Sequence, residues 1–147
     1  MNASLSPAWR WPLLRVRPVL TLLGVGLALG LLQGLAVGLS LRAEGQEIPW
    51  SRPLFWEITG ALSAFLMMPL PQTAVLNTPS PKAGWLRFLG LHTGAYLAYT
   101  SLHIGLMMLV RYPLYRALGW GTYHYGDLLF KVPMEMAKDL LGYSLFA

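Results

Sequence analysis

Residues 91–105, LHTGAYLAYTSLHIG, carry two histidines and two tyrosines inside a stretch apolar enough to cross a membrane. At about 100° per residue, with His92 at zero, Tyr96 falls near +40°, Tyr99 near −20° and His103 near +20°. The four form one polar-aromatic stripe about 16 Å long, which Trp85 and Phe88 extend toward the helix start. A stripe of this kind turns toward protein rather than acyl chains. Three kinds of chemistry are open to it. An imidazole nitrogen of His92 or His103 can ligate haem or a (bacterio)chlorophyll-type pigment. Histidine also titrates near neutrality, so with Glu57 the stripe could form a proton-sensitive network. In the third reading both histidines are neutral and hydrogen-bonded to tyrosines and backbone inside a helix bundle.

Ligand supply weighs against the first. A bis-histidine haem needs a second histidine at similar depth on a neighbouring helix, and the remaining one, His124, falls in an interfacial segment. Met67 or Met68 would have to serve as sixth ligand. A pigment needs a single axial ligand and stays open. No His, Cys or carboxylate cluster has metal spacing, and cysteine is absent. Glu135 and Asp139 lie four apart on one helical face beside Lys138. They could do acid–base work, but charges at a membrane boundary suit solvated anchors better. No nucleophile elbow, HExxH or phosphate-binding glycine loop occurs. The expectation is packing histidines, no enzyme, no metal and no cofactor, with pigment or haem on His92 or His103 as the alternative.

The elements that position the stripe follow from hydropathy. The 147-residue chain is 55% hydrophobic and 12% charged, with mean hydropathy +0.49. Runs of about 20 apolar residues suffice to span a bilayer as helices, and residues 19–41 contain no charge at all. Spans are expected over about 19–41, 54–76 and 85–110, making residues 19–147 a polytopic all-α membrane domain. Residues 1–18 form a basic tail, with Arg10, Arg15 and Arg17 beside Trp9 and Trp11. Such a tail suits the cytoplasmic interface and is expected to place the N-terminus on the cytoplasmic side of a bacterial inner membrane. The net charge of +5 sits at span ends, without a Lys/Arg tract, so this chain alone has no nucleic-acid footprint.

Finer features are also legible. Trp50 and Trp56 are expected at the interface, Ser51 as an N-cap, and Pro69 and Pro71 as a break in the second span. NTPSPK, Asn77 to Lys82, reads as a turn. The Tyr-rich stretch from Arg111 to Val132 reads as interfacial, and Pro133 as the start of a last helix. Only eight mainly apolar residues follow Asp139, which suggests the beginning of a fourth span cut short.

Gly26, Gly30, Gly34 and Gly38 recur every four residues on the first span. They wind slowly into a smooth groove on which another helix can approach closely. That helix belongs either to this chain's second or third span or to a partner membrane protein, and Gln33 beside the groove could hydrogen-bond to it.

Several segments together resemble the membrane region of bacterial LytTR-type regulators. They are R-F-L-G-L-H (from Arg87), S-L-H-I-G-L (to Leu106), Arg111 with Tyr115, Y-H-Y-G (Tyr123 to Gly126) and E-M-A-K-D-L-L-G-Y (Glu135 to Tyr143). The resemblance covers about residues 56–143. It implies an N-terminal four-helix membrane domain that would lead to a cytoplasmic DNA-binding domain, which this sequence does not contain. The expected function is a non-catalytic accessory subunit of a larger membrane complex, associating through the glycine face with other integral membrane proteins and the bilayer. The alternatives are a truncated LytTR-type sensor domain and the haem or pigment subunit.

Overall fold

A computed structural model describes residues 16–78 and 81–146. The basic tail with Trp9, Trp11, Arg10 and Arg15 lies outside the described residues. Five helices follow in order: α1 (Val16–Ala43), α2 (Ser51–Leu66), α3 (Pro69–Asn77), α4 (Pro81–Ala117) and α5 (Leu128–Phe146). The described residues hold no strand, and the fold is all-α. Three segments are long and apolar enough to cross a membrane: Pro18–Ala43, Ser51–Asn77 and Gly84–Ala117.

α1 and α2 run antiparallel, seated on the glycine groove. A methyl group built on Gly30 would lie 2.6 Å from Ile58 Cα and 3.0 Å from the Glu57 carbonyl oxygen. On Gly34 it would lie 2.8 Å from Leu54 Cα, on Gly26 2.9 Å from the Phe65 ring, and on Gly38 against the Trp50 ring. Hydrogen in place of a side chain lets the two backbones meet, and in lipid such close packing is a main source of helix attraction. The groove is filled by the chain's own α2, so another subunit would have to displace α2 to use it. Gln33 is on the exposed side of α1 and not in the seam.

The connection after α1 closes on Gly45, at φ 79°. Its N–H bonds to Arg42 O (3.0 Å) and the Gln46 N–H to Leu41 O (2.9 Å), a Schellman stop that requires a left-handed residue. α4 ends the same way at Gly119, with Gly119 N–H to Arg116 O and Trp120 N–H to Tyr115 O. Ser51 is the first helical residue of α2 and not its cap. Trp50 takes the N-cap position without a side-chain bond, and its ring lies under the Arg42 guanidinium at 4.2 Å.

Pro69 and Pro71 do break the second span. Neither has an N–H for the carbonyl four residues back. Those carbonyls are served by neighbours: Phe65 O accepts from Met68 N (3.2 Å) and Met67 O from Leu70 N (3.0 Å). α3 packs against α4 and α5.

Two boundaries differ from expectation. α4 runs past Val110 to Ala117, carrying Pro113 within it, and begins its spanning part at Gly84, where the backbone is extended. α5 starts at Leu128, five residues before Pro133. Asp127 explains this start. Its side chain accepts from Leu129 N (2.9 Å) and its carbonyl from Lys131 N (2.8 Å), which caps the helix and leaves Pro133 inside it. α5 then turns back alongside α4.

The glycine seam makes a direct prediction. Gly30→Ala should destabilise the detergent-solubilised chain by about 1–3 kcal/mol, the usual cost of overpacking. Gly24→Ala, at a position with nothing within 4 Å, should leave the melting temperature unchanged or raise it through alanine's helix preference. Equal melting temperatures for the two variants would mean that α1 does not dock on α2 as described.

Candidate functional site: a buried polar junction of three helices

α4 carries half of the buried polar and charged side chains among the described residues, Thr100, His103 and Arg111. Its helical register puts Tyr99, Thr100, His103, Met107 and Arg111 on the buried side, at 1–7% exposure. α2 meets this face with Thr59 and Gly60, and α5 meets it with Asp139 and Tyr143.

His103 occupies the centre. Its Nδ1 lies 2.8 and 2.9 Å from the two carboxylate oxygens of Asp139, and its Nε2 lies 3.1 Å from the Gly60 carbonyl oxygen. Thr100 Oγ1 donates to Asp139 Oδ2 at 2.6 Å. The Tyr99 ring stacks beside the imidazole. One imidazole thus joins α2, α4 and α5. His92 lies nearer the start of α4, where Nδ1 is 2.8 Å from Tyr143 OH and Phe88 packs on its ring. Tyr96 OH donates to the Met136 carbonyl at 2.8 Å.

Arg111 forms a second cluster one end of the junction away. Nε donates to Thr59 Oγ1 (2.8 Å), Nη1 to Tyr123 OH (2.9 Å), and Nη2 to the Trp56 carbonyl. Its guanidinium also lies 5.7 Å from the Tyr123 ring. Among the described residues the ion pairs are His103–Asp139 and Lys138–Glu135, so Arg111 is a buried cation held by neutral acceptors. Both clusters converge on Gly60. Its carbonyl receives His103, and a methyl on its Cα would come 3.3 Å from Arg111 Nη2.

The segment after α4 closes over this end. Tyr115, Tyr123 and Tyr125 pack with Met107, and Trp56 donates its indole N–H to Tyr115 OH. Trp56 thus turns its indole N–H toward α4. Burial pushes the Tyr123 phenol up, with the Arg111 charge acting against it. Burial pushes Tyr125 up to about 12, with the Glu135 charge adding to the shift. The Tyr125 hydroxyl is the buried side-chain polar atom without a partner among the described residues.

The four stripe residues do share one face of α4, and each touches α5 or its surroundings. Phe88 continues the stripe, whereas Trp85 is 59% exposed and does not. With both ring nitrogens of His103 engaged, no lone pair remains for an axial ligand while those bonds hold. Met68 is buried against Tyr99 and Tyr143, with Met67 partly buried nearby. His124 is exposed. The described residues hold no group of three or more metal-ligating side chains. Glu135 and Lys138 pair at 3.4 Å near the surface, but Asp139 is 4% exposed, so it is not the solvated anchor its neighbours suggest.

Asp139, Thr100, Gly60, Arg111 and Tyr143 are the members that sequence reading left out of the site. One signal was available for two of them. Asp139 and Tyr143 are four apart on one helical face, the spacing needed to reach a stripe on another helix. For Gly60 no signal existed, since its contribution is a carbonyl oxygen.

Removing one hydroxyl at a time should separate partnered from orphaned tyrosines. Tyr123→Phe strands an Arg111 N–H in the interior and should cost about 1–3 kcal/mol. Tyr125→Phe removes a hydroxyl that bonds to nothing described and should leave the melting temperature unchanged or raise it. A larger loss for Tyr125→Phe would reverse the assignment.

Set against family models, curated proteins and solved structures, the chain matches none of them, and its function is to be sought in the geometry just described.

Proposed function

We propose that this chain is a non-catalytic integral membrane subunit that works by lateral association with other membrane proteins. The observation that carries this reading is the outward position of Gln33. It lies ten residues from the end of α1, about 15 Å along the axis, too deep for a short amide to reach water. A primary amide facing acyl chains lacks hydrogen-bond partners, and a helix from another protein supplies them. The rest of the outer surface is compatible with this. Each spanning segment buries only 22% of its most apolar window within the chain, leaving most of the surface for lipid or neighbours. The basic tail before α1 supports a bacterial cytoplasmic membrane with the N-terminus inside.

A second reading is a LytTR-type sensor domain, and one observation favours it. Asp139 and Tyr143, two residues of the E-x-x-K-D-x-x-x-Y pattern behind that resemblance, are the α5 residues bonded to His103 and His92. A pattern whose members converge in space suits a domain that transmits a state between helices.

Gentle detergent extraction of native membranes, a native gel, mass spectrometry and an absorption scan of the band distinguish these readings. An association subunit should migrate with other membrane polypeptides. Gln33→Leu should weaken that association by about 3- to 30-fold, from the 0.6–2 kcal/mol of an interhelical polar contact. A colourless chain that runs alone would sink the association reading and favour the sensor domain. A visible absorption band that shifts in His92→Phe would favour the pigment alternative.

A further inference from the structure

We propose that His103 and Asp139 form a proton-binding site that latches α2, α4 and α5 together, and that release of this proton opens the junction. The argument begins with what each neighbour of the imidazole can do. The Gly60 carbonyl can only accept a hydrogen bond, so Nε2, 3.1 Å away, carries a hydrogen. Nδ1 faces both oxygens of Asp139 at 2.8 and 2.9 Å. A bare nitrogen lone pair against an ionised carboxylate would repel, so a second hydrogen lies in this contact, on nitrogen or on oxygen. The two arrangements, imidazolium with carboxylate and neutral imidazole with carboxylic acid, contain the same number of protons and the same net charge. The site therefore binds one proton more than a neutral histidine beside an ionised aspartate.

Loss of that proton leaves one N–H for two acceptors. Either the contact to Gly60 or the contact to Asp139 must then go without a hydrogen. In the first case α4 loses its imidazole bond to α2 and is held there by Arg111; in the second it loses its imidazole bond to α5 and is held there by Thr100 and Tyr96. Thr100 cannot repair the second break, because it already donates to Asp139 and adds no hydrogen between the two. Burial raises the stakes, since His103 and Asp139 are both 4% exposed and an unpaired polar group there has no water to turn to.

The groups surrounding the pair are few. α4 contributes Tyr99, stacked on His103, with Tyr96 and His92 further along, and Arg111 on the other side of Gly60. α5 contributes Tyr143, and nearer the surface Glu135 and Lys138, which pair with each other. The loop contributes Tyr123, held by Arg111, and Tyr125. α2 carries Glu57, whose backbone lies against Gly30 of α1, and Arg52, over the Trp120 ring. Arg111 is thus the cation facing the junction, and it favours the state in which the proton has left and a negative charge remains. The latch is closed at lower pH and opens as pH rises.

The absence of cysteine makes the test direct. Cysteines placed at Leu66 on α2 and Leu141 on α5, both exposed, carry spin labels on the otherwise native chain in nanodiscs. The distance distribution is read from about pH 5 to 8, the range in which an unperturbed histidine changes charge. The expected result is a shift or broadening as pH rises that is absent in Asp139→Asn, whose amide donates to Nδ1 without an exchangeable acid proton. Nitrogen NMR of the His103 ring together with carbon NMR of the Asp139 carboxyl, on the unsubstituted chain and so independent of any variant folding, should show Nε2 of His103 protonated at low pH and one proton leaving the pair over the same range. An unchanged distance distribution, or a pair whose ring nitrogens and carboxyl carbon both stay the same throughout, would overturn the proposal.

Discussion

Hydrocarbon offers a buried polar group nothing to bond to, and this constraint shapes the interior of the bundle more than any apolar contact does. Lipid tails are as apolar as leucine, so hydrophobicity alone does not draw one spanning helix to another. What can draw them is close backbone approach and the mutual satisfaction of polar groups. This chain uses one of these means on each side of α2. Toward α1 it presents a backbone close enough that glycines are required at Gly30 and Gly34. Toward α4 it presents the Gly60 carbonyl and the Thr59 hydroxyl, which receive His103 and Arg111.

The same constraint accounts for how the second span tolerates two prolines. The carbonyls that Pro69 and Pro71 cannot serve are taken up by the N–H groups of Met68 and Leu70. The break separates α3 from α2 without leaving either carbonyl bare. It also brings Met68 to 2% exposure against Tyr99 and Tyr143, beside the polar junction. A feature that looks like damage to a helix thereby fills the space next to the histidine site.

Arg111 shows how far polar satisfaction can stand in for charge pairing. Burying an unpaired cation is ordinarily expensive. Here the guanidinium is surrounded by a hydroxyl, a phenol, a carbonyl and an aromatic face, and the Tyr-rich segment after α4 folds back to provide two of them. That segment reads as interfacial because tyrosines favour the membrane–water boundary. Tyr123 turns inward because Arg111 offers its hydroxyl a partner, and Tyr125 is buried beside it without one.

Much of this architecture is set by local sequence. Three spans of sufficient length and low charge, the proline break, the glycine stripe and the His–Tyr face of α4 all depend on residues near one another along the chain, where helical periodicity decides which side chains share a face. The tertiary structure decided the rest. Which helix fills the glycine groove depends on the topology of the loop after Gly45. Which charge is buried depends on α5 turning back along α4, so that Asp139 meets His103 while Glu135, four residues earlier, stays near the surface. The partner of His103 Nε2 is a backbone carbonyl, which every residue possesses and no side-chain pattern announces. Hydrogen bonds between helices join residues 36 and 43 positions apart, and a periodicity that acts over a few turns carries no information at that range.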